Sequence, residues 1–180
     1  MPRYAAFLRG MNVGGHRLTN EELRAHFTAM GFGEVASFRA SGNVIFAAGD
    51  SPPRQLGPRI EAGLQTALGY AVPTYIRSAR EVRAIAAMQP FAPEHVRAST
   101  GKLHVALLAE PPAAAARERV LEMASARDRL LFGERELYWL PSGPMLDSGL
   151  DLKLVERRLG AMTLRTKSTI EQICARHLAA

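Results

Sequence analysis

The sequence predicts an α+β fold in which one β-α-β-β-α-β unit occurs twice, each copy followed by a further helix. Three observations lead to this prediction: short apolar runs that suit strands, segments with apolar residues three or four positions apart, and turns rich in glycine or proline between them. The same order of elements fits residues 1–90 and residues 102–180, and the segment 91–101 between them lacks periodicity and fits a linker. Because this is the order of ferredoxin-like domains, we expect two tandem ferredoxin-like βαββαβ repeats.

The first repeat contains four predicted strands and three predicted helices. The strands are residues 4–8, 35–39, 44–47 and 72–76. The first helix begins at a capping box, in which Thr19 and Glu22 satisfy each other's backbone N–H groups. A second capping box, formed by Ser78 and Glu81, begins the third helix. The helix between them is marked by Leu56, Ile60, Leu64 and Leu68.

The second repeat follows the same order. Its predicted strands are residues 103–108, 130–132, 137–140 and 162–165. Its first helix presents one apolar face formed by Ala116, Val120, Leu121 and Ala124. Its second helix is marked by Leu150, Leu154, Val155 and Leu159. We expect the last helix to begin at a capping box formed by Ser168 and Glu171.

The composition is typical of a folded globular protein. Apolar residues make up 47% of the chain and charged residues 22%, which argues against a disordered chain. No apolar run approaches the roughly 20 residues that cross a bilayer, so we expect no membrane span. The single cysteine, Cys174, cannot form an internal disulfide bond, and this favours a cytoplasmic protein. The sequence leaves the oligomeric state open.

The net charge of +6 and the pI near 10.1 suggest nucleic-acid binding as one class of function. The positive charge is mostly arginine spread along the chain, a pattern that favours a solvated surface over a dedicated polyanion site. Nucleic-acid binding through dispersed arginines and an open sheet face therefore stays as the alternative hypothesis. It would need exposed aromatic rings on the central strands, for which Phe46 with Tyr4 or Phe7 are the candidates, whereas we expect the two phenylalanines in the core.

The segment Arg9-Gly-Met-Asn-Val-Gly-Gly15 is the strongest local feature of the sequence. Its adjacent glycines, Gly14 and Gly15, allow backbone conformations in which N–H groups converge on an anion. The glycine spacing is neither that of a dinucleotide-binding loop nor that of a P-loop. The alternative is a tight strand-to-helix turn without a ligand. Basic groups near the glycines come from Arg9, His16 and Arg17.

A second polar segment, Ser41-Gly42-Asn43, lies at the tip of the predicted hairpin. A hydrolase that used Ser41 would need a histidine or an aspartate within hydrogen-bonding reach, and the sequence alone places none there. A Gly-Asn pair is typical of a hairpin turn. The histidines, at positions 16, 26, 95, 104 and 177, and Cys174 lack the spacing of metal ligands, so we predict no metal and no cofactor.

Two stretches of the chain together carry a family resemblance. Leu8-Arg-Gly-Met-Asn-Val-Gly-Gly15 and Ser41-Gly-Asn-Val-Ile-Phe46 resemble the bacterial domain-of-unknown-function 1697 family. That family has a further signature, Thr-Thr-Arg-Asn-Trp-Asn-Thr, which this chain matches only at Thr163, Arg165 and Thr169. Residues 166–168 replace the central Asn-Trp-Asn. The resemblance implies a two-repeat ferredoxin-like fold and brings no established activity.

The leading hypothesis is that the loop 9–16 binds a small anionic or phosphate-bearing ligand. The first repeat has this polar loop, whereas the equivalent position in the second repeat, Ala109-Glu-Pro-Pro112, has none. Arg9 would supply charge, the glycine backbone would supply N–H donors, and Asn12 and Asn43 would orient the ligand. The full set of candidate ligand-binding residues is Arg9, Gly10, Asn12, Gly14, Gly15, Ser41, Gly42, Asn43, Thr163, Arg165 and Thr169.

Overall fold

The computed structural model describes residues 1–39 and 42–179, and the chain divides into two compact units. The first unit is Met1–Ala84 together with the segment that begins at Ile173, and the second is Ile85–Gln172. Each unit contains one four-stranded antiparallel sheet with helices, so the predicted α+β class is confirmed. In the described part of the chain, no helix is both long enough and apolar enough to cross a membrane.

The first unit contains four strands and the helices that connect them. In chain order these are β1 (Arg3–Leu8), α1 (Asn20–Ala29), β2 (Gly33–Ser37), β3 (Asn43–Ala47), α2 (Pro53–Leu68), β4 (Thr74–Ser78) and α3 (Ala79–Ala87). The last three residues of α3 are assigned to the second unit. The strand order is β2-β3-β1-β4, so β1 and β3 are the central strands. Relative to the apolar runs in the sequence, β2 lies two residues nearer the N-terminus and β4 two residues nearer the C-terminus.

The core of the first unit lies between the sheet and the helices α1 and α2. Its aromatic centre is formed by Phe27, Phe32 and Phe46, whose ring centroids are between 4.7 and 5.9 Å apart. Burial of each large apolar side chain contributes about 1.5–3 kcal/mol, so these three rings stabilise the unit together with the aliphatic residues around them. The other buried members include Tyr4, Ala6, Leu8, Leu23, Val44, Leu56, Ile60 and Leu64.

Two helices of the first unit begin at the predicted capping boxes. At α1, the Thr19 Oγ1 accepts a hydrogen bond from the Glu22 N–H (3.2 Å), and the Glu22 carboxylate accepts one from the Thr19 N–H (2.8 Å). The backbone bond from Thr19, together with its side-chain bond, holds the pKa of Glu22 below its ordinary value. At α3, Ser78 and Glu81 make the same reciprocal pair. These bonds satisfy N–H groups that have no partner inside the helix.

The second unit repeats the architecture of the first. Its elements are α4 (Pro93–Ala98), β5 (His104–Leu108), α5 (Ala114–Leu121), β6 (Asp128–Phe132), β7 (Glu136–Pro141), a 3₁₀ turn (Met145–Asp147), α6 (Leu152–Leu159), β8 (Met162–Thr166) and α7 (Lys167–Ile173). The strand order β6-β7-β5-β8 is equivalent to that of the first sheet. Helix α4 lies inside the segment 91–101 that was predicted as a linker. After α7 the chain continues as a π-helical turn, Cys174–Leu178.

Two predictions for the second unit are wrong. Helix α7 begins at Lys167 rather than after Ser168, and the Thr169 N–H donates to the Thr166 Oγ1 (3.2 Å) in place of the expected box. Glu171 pairs instead with Lys167, one helical turn before it. In α5, Leu121 is exposed and Ala124 follows the helix, because the helix ends at Leu121.

Candidate functional site

The connection between β1 and α1 is the place where the two units differ most in loop length. It is eleven residues long (9–19), whereas the equivalent connection between β5 and α5 is five residues long (109–113). Connections of about 2–6 residues are sufficient to join a strand to a helix in such units. The extra length of the first connection is therefore not required by the fold.

Hydrogen bonds hold the start of this loop against the chain before β4. The Arg9 N–H donates to the Pro73 carbonyl (2.9 Å). The Tyr70 hydroxyl donates to the Met11 carbonyl (3.0 Å), and the Met11 side chain is buried. The first part of the loop is thus fixed from inside the unit.

The Asn12 side chain closes the outer part of the loop, because its Oδ1 accepts a hydrogen bond from the Leu18 N–H (2.7 Å). Within the closed segment, Gly14 and Gly15 have φ angles of +64° and +84°, a region that other residues rarely adopt. Gly10, at the start of the loop, has φ of +69°. Among the described residues, no atom beyond those of the glycine itself and its two chain neighbours lies within 4 Å of the Cβ position of Gly14 or Gly15. The backbone at the tip therefore faces open space.

Side chains near the tip present positive charge and ring surface. The His16 ring lies on the Tyr70 ring, with centroids 3.9 Å apart and an interplanar angle of 23°. Arg17 is exposed, and its guanidinium has no hydrogen bond or ion pair within the described part of the chain. Val13 is 62% exposed at the tip, where it contributes apolar surface outside the core.

Tyr70 is a site residue that the sequence analysis missed. It follows the C-cap of α2 at Gly69 and lies 59 positions after Met11, whose carbonyl it binds. No short-range pattern connects residues so far apart in the chain. Only the packing of the segment before β4 against the loop reveals its position.

A groove of about 460 Å³ lies beside the same segment. Its wall from the chain before β4 includes Pro73, whose carbonyl binds the start of the loop. Its wall from α2 includes Glu61, whose carboxylate is already engaged by the Thr74 N–H (2.8 Å). The complete lining is Pro58, Glu61, Ala62, Gln65, Ala71, Val72 and Pro73.

The structure brings the hairpin between β2 and β3 against the start of the loop. The Leu8 N–H donates to the Gly42 carbonyl (2.8 Å), and a Cβ at Gly42 (φ +72°) would come within 3.2 Å of Leu8 atoms. Asn43 is 1% exposed, and its Nδ2 donates to the Phe38 carbonyl (2.9 Å). Asn43 therefore closes the hairpin from inside. Ser41, the remaining predicted residue here, lies outside the described residues.

The other three predicted site residues belong to the second unit. The Arg165 Nη1 donates to the Thr163 Oγ1 (2.9 Å) and to the Leu164 carbonyl (2.7 Å). Burial lowers the pKa of Arg165 to about 10, because a buried cation has lost its hydration. Thr169 contributes to the start of α7 through its bonds with Thr166. Each of these contacts is internal to the second unit.

The first unit has a counterpart of this arginine. Arg77 is the fourth residue of β4, and Arg165 is the fourth residue of β8. Arg77 lies opposite Ala5 of β1, and Arg165 lies opposite Val105 at the equivalent position of β5. In both, Nη1 donates to the carbonyl of the preceding residue, at 2.9 and 2.7 Å. Because both units have an arginine with the same bond at this position, we interpret Arg165 as part of the shared architecture.

Comparison with known proteins identifies the family of the chain. A family model described as a protein of unknown function, DUF1697, matches residues 1–138. The chain belongs to this family. The match includes the loop 9–19 and residues 41–43, which confirms the resemblance seen in the sequence. It ends before residues 163–169, the stretch in which the chain departs from the DUF1697 signature.

A solved structure is similar to this DUF1697 chain over almost its whole length. The conserved bacterial protein SP0830 from Streptococcus pneumoniae aligns with a TM-score of 0.76 and 22% sequence identity, covering 97% of each chain. At this identity the likeness shows a shared fold and carries no activity. A search of the curated proteins finds no match.

The first sheet does not present an open aromatic face. Tyr4 and Phe46 lie in the core on the helix side of the sheet. Phe7 and Ile45, on the opposite face, are fully buried as well. An RNA-recognition surface requires exposed rings at such positions, so the burial argues against the nucleic-acid alternative. Among the described residues, no three His, Cys, Asp or Glu side chains come together in a way that could hold a metal ion.

Proposed function

We propose that the loop 9–16 of the first unit binds a small ligand that carries an anionic group, a phosphate in particular. The observation that carries this proposal is the open backbone at Gly14 and Gly15, in a loop far longer than its counterpart. Without side chains at these positions, backbone N–H groups can approach phosphate oxygens closely.

Arg17 supplies a positive side chain next to these amides, and His16 adds an imidazole. The Arg17 guanidinium is free to pair with an anion, and its planar fork matches phosphate oxygens. Arg9, to which the sequence hypothesis gave this role, is half-buried and engaged within the chain, so it contributes through its field rather than by direct contact. Asn43 is likewise engaged, and Asn12 is the amide that remains at the loop surface.

Apolar surface next to the loop supports an organic phosphate rather than the free ion. Val13 and the stacked rings of His16 and Tyr70 offer contacts for a flat or apolar portion of the ligand. The groove beside Pro73 has room for such a portion.

We further propose that each unit is a ferredoxin-like repeat followed by an added helix. The strand order β2-β3-β1-β4 and its equivalent β6-β7-β5-β8 support this assignment, together with the β-α-β-β-α-β sequence of elements. In this arrangement the loop after the first strand joins the sheet to its covering helices, and only the first repeat carries a long one.

The proposed function can be tested by titration of the full chain with nucleoside monophosphates and phenyl phosphate while amide NMR shifts are recorded. We expect saturable shifts at Gly14, Gly15 and His16. Replacement of Arg17 by glutamine should weaken binding at least tenfold, which corresponds to about 1.4 kcal/mol. Arg54→Gln, at an exposed arginine on α2, makes the same change of charge and should leave the affinity unchanged.

Gly49 offers a matched control for the glycines of the loop. It too has a positive φ (+55°) and no described atom within 4 Å of its Cβ position. Alanine at Gly14 or at Gly49 imposes a similar backbone strain of about 1–2 kcal/mol. Only Gly14→Ala should weaken ligand binding. Equal weakening by both variants, or the absence of shifts near residues 9–16 in the wild-type chain, would contradict the proposal.

A further inference from the structure

A pocket of about 80 Å³ in the second unit lies between α4 and the ends of β6 and β7. Its polar lining comes from His95 and Ser99 on one side and from Arg129 and Ser142 on the other. Its apolar wall includes Leu140. The pocket belongs to none of the motifs that the sequence analysis identified.

The basic side chains of this pocket have no partner among the described residues. The Arg129 guanidinium makes no hydrogen bond, ion pair or ring contact there, and neither does the His95 imidazole. Both side chains are half-buried. Another arginine of the same unit, Arg117, is instead fully engaged by the carbonyls of Pro112, Gly133 and Glu134. The Arg129 guanidinium therefore keeps its hydrogen-bond donors available for an anion.

The polar groups around the pocket divide into fixed and free ones. The Ser99 Oγ donates to the Pro141 carbonyl (2.5 Å) and accepts from the Gly101 N–H (3.0 Å), so it holds the wall in place. The Ser142 hydroxyl has no partner in the described part of the chain. No carboxylate is among the lining residues. The positive charge of the pocket is therefore not balanced from within it.

The volume of the pocket limits what it can hold. A single water molecule requires roughly 10–15 Å³, and pockets for drug-sized ligands have about 300–1,000 Å³. At about 80 Å³, the pocket is large enough for a group of several heavy atoms and too small for a nucleotide or an organic cofactor. A tetrahedral oxyanion matches both the size and the donors.

We propose that this pocket binds a phosphate group, either as inorganic phosphate or as the terminal group of a phosphomonoester. Arg129 supplies two parallel hydrogen bonds, and His95 and Ser142 supply one each. The first unit lacks the equivalent arginine: Arg129 lies opposite Leu140 of β7, and the residue at the same register of β2, opposite Ala47, is Gly33. The pocket is thus a second site, separate from the loop 9–16 in residues and in unit.

The test is calorimetric titration of the full chain with inorganic phosphate and with phenyl phosphate at constant ionic strength, combined with amide NMR. We expect saturable binding with shifts at His95, Ser99, Arg129 and Ser142. Arg129→Gln should weaken this binding at least tenfold. Arg119→Gln removes the same charge from an exposed position on α5 and should leave it unchanged.

The design separates the pocket from the loop and from a general charge effect. Equal weakening of binding by Arg129→Gln and Arg119→Gln would overturn the proposal of a phosphate site in the pocket. NMR shifts confined to residues 9–16 would also overturn it, but would leave the proposal for the loop intact. If Arg129→Gln does not fold, Arg129→Lys retains the charge without the fork, and full affinity in that variant would also overturn the proposal. Binding of both compounds supports a terminal phosphate as the ligand, and binding of inorganic phosphate alone supports the free ion.

Discussion

Buried polar side chains fix the hairpins of the two units. In the first unit, the Asn43 amide donates to the Phe38 carbonyl. In the second, the Asp128 carboxylate accepts from the Trp139 Nε1 (2.8 Å) and from the Ser148 Oγ (2.6 Å). Each bond satisfies a group that would otherwise be buried without a partner, and such groups are costly.

Replacement of Asn43 by alanine should lower the free energy of unfolding by about 1–3 kcal/mol, because the Phe38 carbonyl would lose a partner in a buried setting. Asn12→Ala is the matched control, since it removes an amide whose bond to Leu18 lies at the exposed loop, and it should cost about 0.5–1.5 kcal/mol. Urea unfolding monitored by circular dichroism measures both. A loss of less than about 1 kcal/mol in Asn43→Ala, or a smaller loss than in Asn12→Ala, would contradict the structural role of Asn43.

His104 links the stability of the second unit to pH. It is half-buried on β5, with its ring centroid 5.0 Å from that of Trp139. Burial lowers the pKa of His104 below its ordinary value of 6.5, and Lys102 lowers it further. In the range between the lowered value and 6.5, the unfolded chain binds more protons than the folded chain. The free energy of unfolding therefore decreases as the pH falls below about 6.5.

We expect the urea midpoint of the wild-type chain to fall between pH 7.5 and pH 5.5, and to fall less in His104→Gln. Part of the dependence should remain, because burial, with Arg3 and Arg176 nearby, also lowers the pKa of His177. The measurement is a pair of urea titrations for each chain. A variant with the full wild-type pH dependence would show that His104 is not the group responsible.

At the scale of the element, the start of each helix depends on which side chain caps it. Ser78 and Glu81 form a complete box at α3, whereas α7 begins with a bond from the Thr169 N–H to the Thr166 Oγ1. Ser168, which also precedes a glutamate by three residues, lies inside α7, and its Oγ accepts from the Gln172 side chain (3.1 Å).

Thr166→Ala should therefore destabilise the chain by about 0.5–2 kcal/mol, the usual cost of a lost cap. Ser168→Ala is the matched control at the exposed face of the same helix and should change the free energy of unfolding by less than about 0.5 kcal/mol. Urea unfolding of the two variants shows which of the two side chains caps α7. A larger loss of stability in Ser168→Ala than in Thr166→Ala would instead support the capping box of Ser168 and Glu171 that the sequence pattern indicates.

The sequence predicts those elements whose signals are local. The boxes at Thr19 and Ser78 are correct because each depends on side chains three positions apart. The start of α7 is not local, since it depends on how far β8 extends, and β8 ends where Thr166 lies opposite His104 of β5.

The same distinction applies to the candidate site. The positive φ values of Gly14 and Gly15 follow from residue type and are predictable. The engagement of Asn43 and the contribution of Tyr70 require contacts between segments distant in the chain, and those contacts are visible only in the fold. For the same reason, the pocket around Arg129 has no signature in the sequence.

At the scale of the whole molecule, the C-terminal segment completes the unit in which the chain begins. The Arg3 Nη1 donates to the His177 carbonyl (2.6 Å), and the Arg83 Nη1 donates to the Leu178 carbonyl (2.9 Å). The His177 ring meets the Phe38 ring edge-on, with centroids 6.3 Å apart. All of these contacts lie within the first unit.

Deletion of residues 173–180 should destabilise the first unit by about 3–6 kcal/mol, since it removes the buried side chains of Ile173 and Leu178. Hydrogen exchange of the β1 amides and urea unfolding measure this effect. A deletion of residues 179–180 alone is the control, because Ala179 is exposed, and it should change neither measurement. Unchanged protection of β1 in the longer deletion would contradict the role of the segment.

The assignment of the segment from Ile173 onward to the first unit has a consequence for synthesis on the ribosome. The second unit is continuous in the chain, so it possesses all of its residues once Gln172 has emerged. The first unit emerges earlier but lacks part of its packing until residues 173–179 have followed. Domains commonly fold in the order in which they are made, the N-terminal one first. In this chain, the part that is translated first is the part that reaches its final contacts last.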